Sequence, residues 1–150
     1  GRVAEDFKLT SGTWVSVGTL RIAGITALAP IAQDIVVTGH DKDEVRFLVF
    51  PNIPACRALA KRPDADIADV LRASAVRDAV AQGLARLKAN GGGSSSFATR
   101  ALLLADLPSV DDGEITDKGY INQRAVLTRR FADIERLDDN GCGHWIGCPA

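Results

Sequence analysis

A chain of 150 residues with 46% hydrophobic and 25% charged residues has the size and composition of one soluble domain with a sizeable core. Its 18 basic and 19 acidic residues leave a formal net charge of -1, which argues against a general binder of nucleic acid or anionic membranes. No apolar run approaches the roughly 20 residues that a membrane span needs, and no signal-peptide pattern opens the chain, so we expect a cytoplasmic location.

The first predicted elements are a hairpin and a helix. β-favouring residues flank Ser11-Gly12 between Phe7 and Val17, a pattern typical of a short hairpin. Apolar residues at near-helical spacing then predict a helix that Pro30 ends, and these residues are Val17, Leu20, Ile25 and Leu28.

Two strands rich in Val, Ile and Phe follow, at Asp34–Thr38 and Val45–Phe50. A polar segment with a glycine at its start separates them, so they predict a second, longer hairpin. Pro51 and Pro54 come next and predict the end of the strand and an irregular connection.

The longest helical pattern comes after this connection. Asp64 and Asp66 suit the start of a helix, and an apolar stripe predicts that it continues to Lys88. The stripe consists of Ile67, Val70, Leu71, Val76, Val80, Leu84 and Leu87. Asn90-Gly91 predicts its end, and the tract GGGSSS predicts a flexible loop that lacks the Gly-Lys-Ser/Thr ending of a phosphate loop.

The last elements are a strand at Ala101–Leu104, which Pro108 ends, a turn at Asp111–Gly113 and a helix from Asn122 to Leu137. One face of that helix carries Leu127, Phe131 and Ile134. Together the elements predict an α+β fold in which about three helices pack on a small sheet with β-hairpins. We expect one domain, residues 1–138, and a tail, residues 139–150.

The tail sequence GCGHWIGCP contains Cys142, His144 and Cys148, which are residue types that bind zinc. Structural zinc generally takes four ligands, and this spacing matches neither a finger nor a ribbon, so we predict no metal site and a tail that is frayed or packed locally. His40 lies in a predicted turn, where we expect it in solvent. The odd number of cysteines fits a reducing compartment, with Cys56 packed as a small apolar residue.

Lys118 lies in a polar turn directly before the last predicted helix, in the segment ITDKGYINQRAVLTRR. A lysine on such a turn can reach an anionic group beyond its own domain. The alternative is an ordinary solvated lysine, and the turn alone does not decide between the two.

Two segments together resemble a known family. GRVAEDFKLTSGTWVSVG resembles the hinge-and-hairpin motif of adenylate-forming enzymes, the acyl-CoA synthetases and their relatives, in which Gly-Arg precedes an acidic residue, a lysine or asparagine, and a hairpin glycine. ITDKGYINQRAVLTRR resembles their closing motif, a loop with the adenylation lysine and then a helix. The order and separation of the two motifs also agree with those of the family. The sequences of the two segments are most similar to those of feruloyl-CoA synthetases.

The resemblance implies the small, mobile C-terminal domain of an ATP-dependent acid–CoA ligase, which forms an acyl-adenylate and then an acyl-CoA thioester. It implies ATP, CoA and Mg2+, with ATP and Mg2+ bound mainly by an N-terminal domain that is missing here. That domain and an aromatic carboxylic acid are the expected partners, and the fragment alone is expected to be inactive. The start at Gly1, without an initiator methionine, is expected for the end of a longer protein.

The resemblance also implies site residues near the beginning of the chain. Arg2 corresponds to the arginine beside the hinge, which contacts the nucleotide ribose, and the acidic hinge residue falls at Glu5 or Asp6. The hairpin residues would line the pantetheine tunnel, where a glycine permits close approach of the backbone. These residues are Lys8, Ser11, Gly12 and Thr13.

By the same resemblance Lys118 is the catalytic lysine, which contacts the carboxylate and the α-phosphate as the adenylate forms. The family ends its motif in Ser-Gly-Lys, whereas here Lys118 precedes Gly119 and Tyr120. Lys118 could reach the same point by a different loop path, with Tyr120 adding a hydroxyl. The departure leaves open an alternative, a non-catalytic α+β binding or interaction module that has lost the ligase chemistry.

Overall fold

The computed structural model describes residues 6–40, 42–90, 93, 96–116, 121–138 and 145–147. A small antiparallel hairpin consists of β1 (Phe7–Lys8) and β2 (Trp14–Val15). The main sheet has the strand order β3 (Ala32–Thr38), β4 (Val45–Pro51), β5 (Ala98–Leu103) and β6 (Ile146–Gly147). The pair β4 and β5 is parallel, and the other two pairs are antiparallel.

Helices cover both faces of the main sheet. In the described ranges they are α1 (Val17–Ala27), α2 (Ile53–Ala60), α3 (Ile67–Arg72), α4 (Ser74–Asn90), α5 (Gln123–Arg129) and α6 (Phe131–Asp138). Because successive strand residues point to opposite faces, Val37 and Phe47 join the core under α1 to α4, while Val36 and Leu48 join a smaller core under α5 and α6. None of these helices has the length and apolar character that crossing a membrane requires.

The first half of the fold confirms the predicted hairpins and the helix between them. β1 and β2 flank the Ser11-Gly12 turn, where Gly12 has a φ of 87°. Glycine adopts this left-handed conformation without strain. α1 follows directly and ends at Ala27, before Pro30, and β3 pairs with β4 in the second hairpin.

The connection after Pro51 was predicted to be irregular, and this prediction is wrong, because α2 begins at Ile53. Asn52 caps the helix, since its side-chain oxygen accepts a hydrogen bond from the Ala55 amide (3.2 Å). Pro54 lies in the first helical turn, where its missing N–H costs no helical hydrogen bond. The proline therefore marks the start of a helix and not a loop.

The long helix predicted up to Lys88 is two helices, α3 and α4, separated by Ala73, whose φ of -59° and ψ of 136° are not helical. Leu71 and Val76 are both buried in the core. In one continuous helix their side chains would point about 140° apart, on different faces. The interruption allows both helices to bury their apolar residues.

The last predicted helix is also two helices, α5 and α6, with Arg130 at the junction. Arg130 is only 5% exposed, so a charged side chain enters the interior at this point. Leu127, Phe131 and Ile134 share a face as predicted, but this face lines a cavity, and Phe131 is 61% exposed.

The described part of the tail packs on the sheet, because β6 pairs with β5. The guanidinium carbon of Arg100 lies 4.0 Å from the ring centre of Trp145, which attaches the tail further. The possible zinc ligands lie outside the described residues, and these are Cys142, His144 and Cys148.

Candidate functional site

The hairpin brings most of the predicted cofactor-binding residues to one exposed tip. Ser11 Oγ lies 2.9 Å from Thr13 Oγ1, and both residues are exposed. The ammonium group of Lys8 lies 5.0 Å from the centre of the exposed Trp14 ring, within range of a cation–π interaction. A Cβ on Gly12 would meet no described atom within 4 Å, so the positive φ, and not crowding, requires glycine. The tip thus presents hydroxyls, a cation and open backbone.

Hydrogen bonds attach this hairpin to the body of the domain. The Thr10 amide donates to the Lys42 carbonyl (2.9 Å), and the Thr10 hydroxyl donates to Asp43 Oδ1 (2.7 Å). Asp6 Oδ1 accepts a hydrogen bond from the Val17 amide (2.9 Å) at the start of α1. One of the two candidate hinge acids therefore caps a helix. The other predicted residues of this segment lie outside the described residues, namely Arg2 and Glu5.

The chain is described on both sides of Lys118, and the two sides lie together. Ile115 and Ile121 form an antiparallel bridge, and the Asn122 amide donates a hydrogen bond to the Glu114 carbonyl (2.8 Å). We call Ile115, Ile121 and Asn122 the loop base. Lys118 itself, the predicted catalytic residue, lies outside the described residues.

A buried carboxylate holds the loop base. Glu114 is 0% exposed, and its oxygens accept hydrogen bonds from Arg130 Nε (2.7 Å), Arg130 Nη2 (3.1 Å) and Arg129 Nη1 (2.7 Å). The Ser109 amide donates to the same carboxylate (2.8 Å). The guanidinium of Arg130 also lies over the ring of Phe50, 5.0 Å from its centre. The negative charge is therefore paired and hydrogen-bonded in the interior.

The pKa of Glu114 reflects this arrangement. Burial of the carboxyl acts to raise its pKa, but the hydrogen bonds from Arg130 and the Ser109 amide, with the charges of Arg130 and Arg129, outweigh burial and lower it. Sequence reasoning missed this residue, because a lone glutamate is normally an exposed residue. The only signal was the adjacent pair Arg129-Arg130 near the end of an apolar-faced helix.

One cavity touches both predicted site segments. It has a volume of about 440 Å3, and its wall includes Asp6 and Phe7 at the start of the hairpin and Gln123 and Leu127 of α5. Gln123 is 5% exposed, and its Oε1 accepts a hydrogen bond from the Val37 amide of β3 (3.1 Å). The fold therefore brings segments from opposite ends of the chain to one concave surface.

The remaining candidate residues play smaller parts in the described structure. His40 is exposed, as predicted, and packs edge to face on Phe7 with ring centres 5.8 Å apart. Within the described ranges, no group of three or more His, Cys, Asp and Glu side chains lies close enough to hold a metal ion. Cys56 is buried as predicted, and burial raises the pKa of its thiol.

Comparisons with known proteins relate this fold to adenylation domains. No protein-family model matches the chain, and no curated protein matches it. The adenylation domain of a carboxylate reductase from Mycobacterium chelonae is similar with a TM-score of 0.70 and 20% identity, over 91% of this chain and 20% of that chain.

Two structures from Segniliparus rugosus are also similar. The A domain of its carboxylic acid reductase, in complex with AMP and a co-purified carboxylic acid, gives a TM-score of 0.65 and 23% identity, over 91% of this chain and 20% of that chain. The A-PCP didomain of a carboxylic acid reductase, in complex with AMP, gives a TM-score of 0.64 and 24% identity, over 89% of this chain and 17% of that chain. The chain thus has the fold of a part of these adenylation domains, which confirms the predicted fold class, and it spans 17% to 20% of their length.

Proposed function

We propose that this chain is the C-terminal domain of an ATP-dependent acid–CoA ligase of the adenylate-forming family, acting on a hydroxycinnamate such as ferulate. The acid displaces pyrophosphate from ATP to form an acyl-adenylate, and the CoA thiol then displaces AMP to form the thioester. In this proposal a preceding N-terminal domain binds the acid, Mg2+ and most of ATP. The chain without that domain is inactive.

One observation carries the proposal. The two segments that resemble the family's motifs belong to opposite ends of the chain, yet both line the cavity of about 440 Å3, through Asp6 and Phe7 on one side and Gln123 and Leu127 on the other. The domain that contains them has the fold of a part of known adenylation domains. A mobile domain that serves two half-reactions needs both segments within reach of one active site.

Lys118 supplies a positive charge to the first half-reaction in this proposal. Joining a carboxylate to a phosphate brings two anionic groups together, and a positioned ammonium group stabilises the charge that they share. We call the segment between Ile115 and Ile121, which carries Lys118, the lysine loop. The loop base brings the two ends of this segment next to each other, through the Ile115–Ile121 bridge. In this proposal the closed base holds both ends of the segment that carries Lys118.

The hairpin tip serves the second half-reaction. Its exposed Ser11 and Thr13 hydroxyls suit the amide groups of a pantetheine arm, and the open surroundings of Gly12 let a thin ligand approach the backbone. Lys8 stands beside them over Trp14. Arg2 contacts the ribose of the nucleotide in the same proposal.

The test uses the full-length enzyme that carries this chain, assayed for ATP- and CoA-dependent thioester formation across aromatic and aliphatic acids. We expect Lys118→Ala to slow adenylate formation about 100-fold or more, and to leave thioester formation from preformed adenylate within about threefold of wild type. Lys88→Ala is the matched control, because Lys88 is an exposed lysine of α4, which packs on the face of the sheet opposite α5 and α6. The assignment fails if Lys118→Ala leaves both half-reactions within about threefold.

One of the similar solved structures supports a second candidate function, in which a PCP domain accepts the acyl group in place of CoA. One of the similar structures is an A-PCP didomain. Adenylate formation is common to both candidates, so the acceptor distinguishes them. Thioester formation with free CoA supports the ligase, and formation only with a PCP domain supports the second candidate.

A further inference from the structure

We infer that Glu114 is a positioning residue for the lysine loop, because its carboxylate and carbonyl together fix the loop base to both ends of α5. Insofar as it concerns Lys118, this inference rests on the proposed function. Glu114 itself is enclosed by protein and touches no substrate in this assignment, so its effect passes through the loop.

The backbone of Glu114 binds the beginning of α5. Its carbonyl accepts a hydrogen bond from the amide of Asn122 (2.8 Å), the residue directly before the helix. The Asn122 side chain in turn accepts a hydrogen bond from the Ala125 amide (3.2 Å) and caps the helix. The return of the chain from the loop is thus attached to the residue that precedes the loop.

The side chain of Glu114 binds the end of the same helix. Arg129 is the last residue of α5 and Arg130 follows it, and each places a guanidinium nitrogen 2.7 Å from a Glu114 oxygen. α5 is only 7 residues long, so one glutamate holds it from both ends. The helix that follows the loop cannot shift along its axis without breaking this cluster.

The turn before the loop folds on the same carboxylate. The Ser109 amide donates to Glu114 Oε1 (2.8 Å), and the Glu114 amide donates back to the Ser109 carbonyl (2.9 Å). Arg130 Nη2 also donates to the Leu107 carbonyl (3.1 Å), and Arg129 Nε pairs with Asp112 (3.1 Å). The segments before and after the lysine loop are therefore both attached to one cluster, formed by Glu114, Arg129 and Arg130.

A buried ion cluster is an expensive way to gain stability, because the charges must first leave water, and apolar residues often serve as well. Such a cluster does fix geometry, since bidentate arginine–carboxylate hydrogen bonds determine both the distance and the angle between the two groups. A lysine that stabilises a forming bond needs that accuracy, because a misplacement of about 1 Å can cost about 100-fold in rate. The cluster of Glu114, Arg129 and Arg130 is therefore suited to positioning the lysine loop.

The kinetic test uses Glu114→Gln in the full-length enzyme, since glutamine keeps the shape and one acceptor but removes the charge. We expect adenylate formation to slow about tenfold or more, with the KM for ATP and for the acid within about threefold. Thioester formation from preformed adenylate should remain within about threefold. Equal losses in both half-reactions would show a general structural defect and overturn the inference.

A double variant tests whether Glu114 acts through the lysine. If it does, Glu114→Gln adds no more than about threefold to the loss that Lys118→Ala causes alone, because both changes remove the same interaction. If the two losses multiply, Glu114 acts by another route and the inference is wrong. Arg136→Ala is the matched control, because Arg136 is an exposed arginine of α6 that pairs with Asp133 (3.1 Å).

Amide hydrogen exchange keeps the inference testable if Lys118 has no kinetic role. Glu114→Gln should speed exchange in a peptide covering residues 114–123 by about tenfold or more, while β3 and β4 exchange as in wild type. Unchanged exchange in that peptide overturns the inference. If Lys118→Ala leaves adenylate formation unchanged, the proposed function fails, and exchange alone decides whether Glu114 holds the loop base. A milder variant, Arg129→Ala, repeats the exchange test should Glu114→Gln fold poorly.

Discussion

The hairpin tip and the loop base are the two described parts of the proposed site, and the domain holds them in opposite ways. The hairpin buries Phe7, Leu9 and Val15 in the core, but its tip is exposed, and the Thr10 hydroxyl binds Asp43 at an exposed position. The loop base is attached to a fully buried carboxylate, Glu114, and two arginines. Water replaces an exposed hydrogen bond at little cost, whereas a buried charge that loses its partner has no substitute.

This difference agrees with what each half-reaction demands under the proposed function. Adenylate formation needs a cation at one fixed place, which a rigid loop base can supply. Entry of a long, flexible thiol carrier needs a surface that adapts to it, which an exposed hairpin tip can supply. The two attachments should therefore differ in strength.

The largest effect is expected from Arg130→Met, which keeps much of the side-chain volume but removes one partner of Glu114. We expect the free energy of unfolding to fall by about 3–5 kcal/mol, because a buried carboxylate then keeps only the half-exposed Arg129 as its cationic partner. Urea unfolding of the 150-residue chain measures this loss. A second variant, Glu114→Gln with Arg130→Met, should recover part of it, since no unpaired charge remains.

The control for this loss is Arg136→Met, at an exposed pair with Asp133 in α6. Exposed pairs contribute little, and we expect a change of less than about 0.5 kcal/mol. A loss at Arg130 of less than about 1 kcal/mol would mean that the loop base is no better held than the surface. The contrast with the hairpin would then disappear.

A smaller effect is expected from pH. The pKa of Glu114 is lower in the folded chain, so its charge stabilises the fold above the unfolded value of about 4.3 and this contribution is lost as the pH falls through the folded value. The difference in unfolding free energy between wild type and Glu114→Gln should therefore shrink between pH 7 and about pH 3. Urea titrations at both pH values measure it, and an equal difference at both would contradict a charged anchor.

Most elements that local chemistry determines were predicted from the sequence, with α2 as the exception, and the helix breaks that packing determines were not. Ser11-Gly12 marks a turn, and Gly12 adopts the positive φ that the turn requires. Ala73 and Arg130, by contrast, are good helix formers, and nothing local predicts that the helices end there. The breaks follow from burial of Leu71 and Val76 in one core and from the pairing of Arg130 with Glu114.

The same distinction separates the candidate site residues that the sequence brings together from those that only the fold brings together. The exposed hairpin residues belong to one short segment, so sequence alone places them together. Glu114 lies 15 and 16 residues from its arginine partners, and its burial depends on how α5 packs under the sheet. The cavity joins Phe7 to Gln123, residues so distant in sequence that only the fold relates them.

A smaller loss of stability than at Arg130 is expected from a change at Asp6, where the chain enters the hairpin. Asp6→Ala removes the carboxylate that accepts a hydrogen bond from the Val17 amide (2.9 Å), which should cost about 1 kcal/mol, as for other helix caps. Asp6→Asn keeps an acceptor oxygen and should cost less. Urea unfolding compares the two variants. Equal losses would mean that the charge of Asp6, and not its hydrogen bond, matters.

The smallest effect is expected from Thr10→Val, which removes the exposed hydroxyl bond to Asp43 but leaves the Thr10 amide bound to the Lys42 carbonyl. The cost should be below about 1 kcal/mol, with faster amide exchange in residues 7–15 and none of that change at the loop base. Thr13→Val is the control, because its hydroxyl contacts only Ser11 among the bonds described for it. If Thr10→Val instead destabilises the chain as much as Arg130→Met, the hairpin tip is held as firmly as the loop base, and its proposed adaptation to a thiol carrier loses its physical basis.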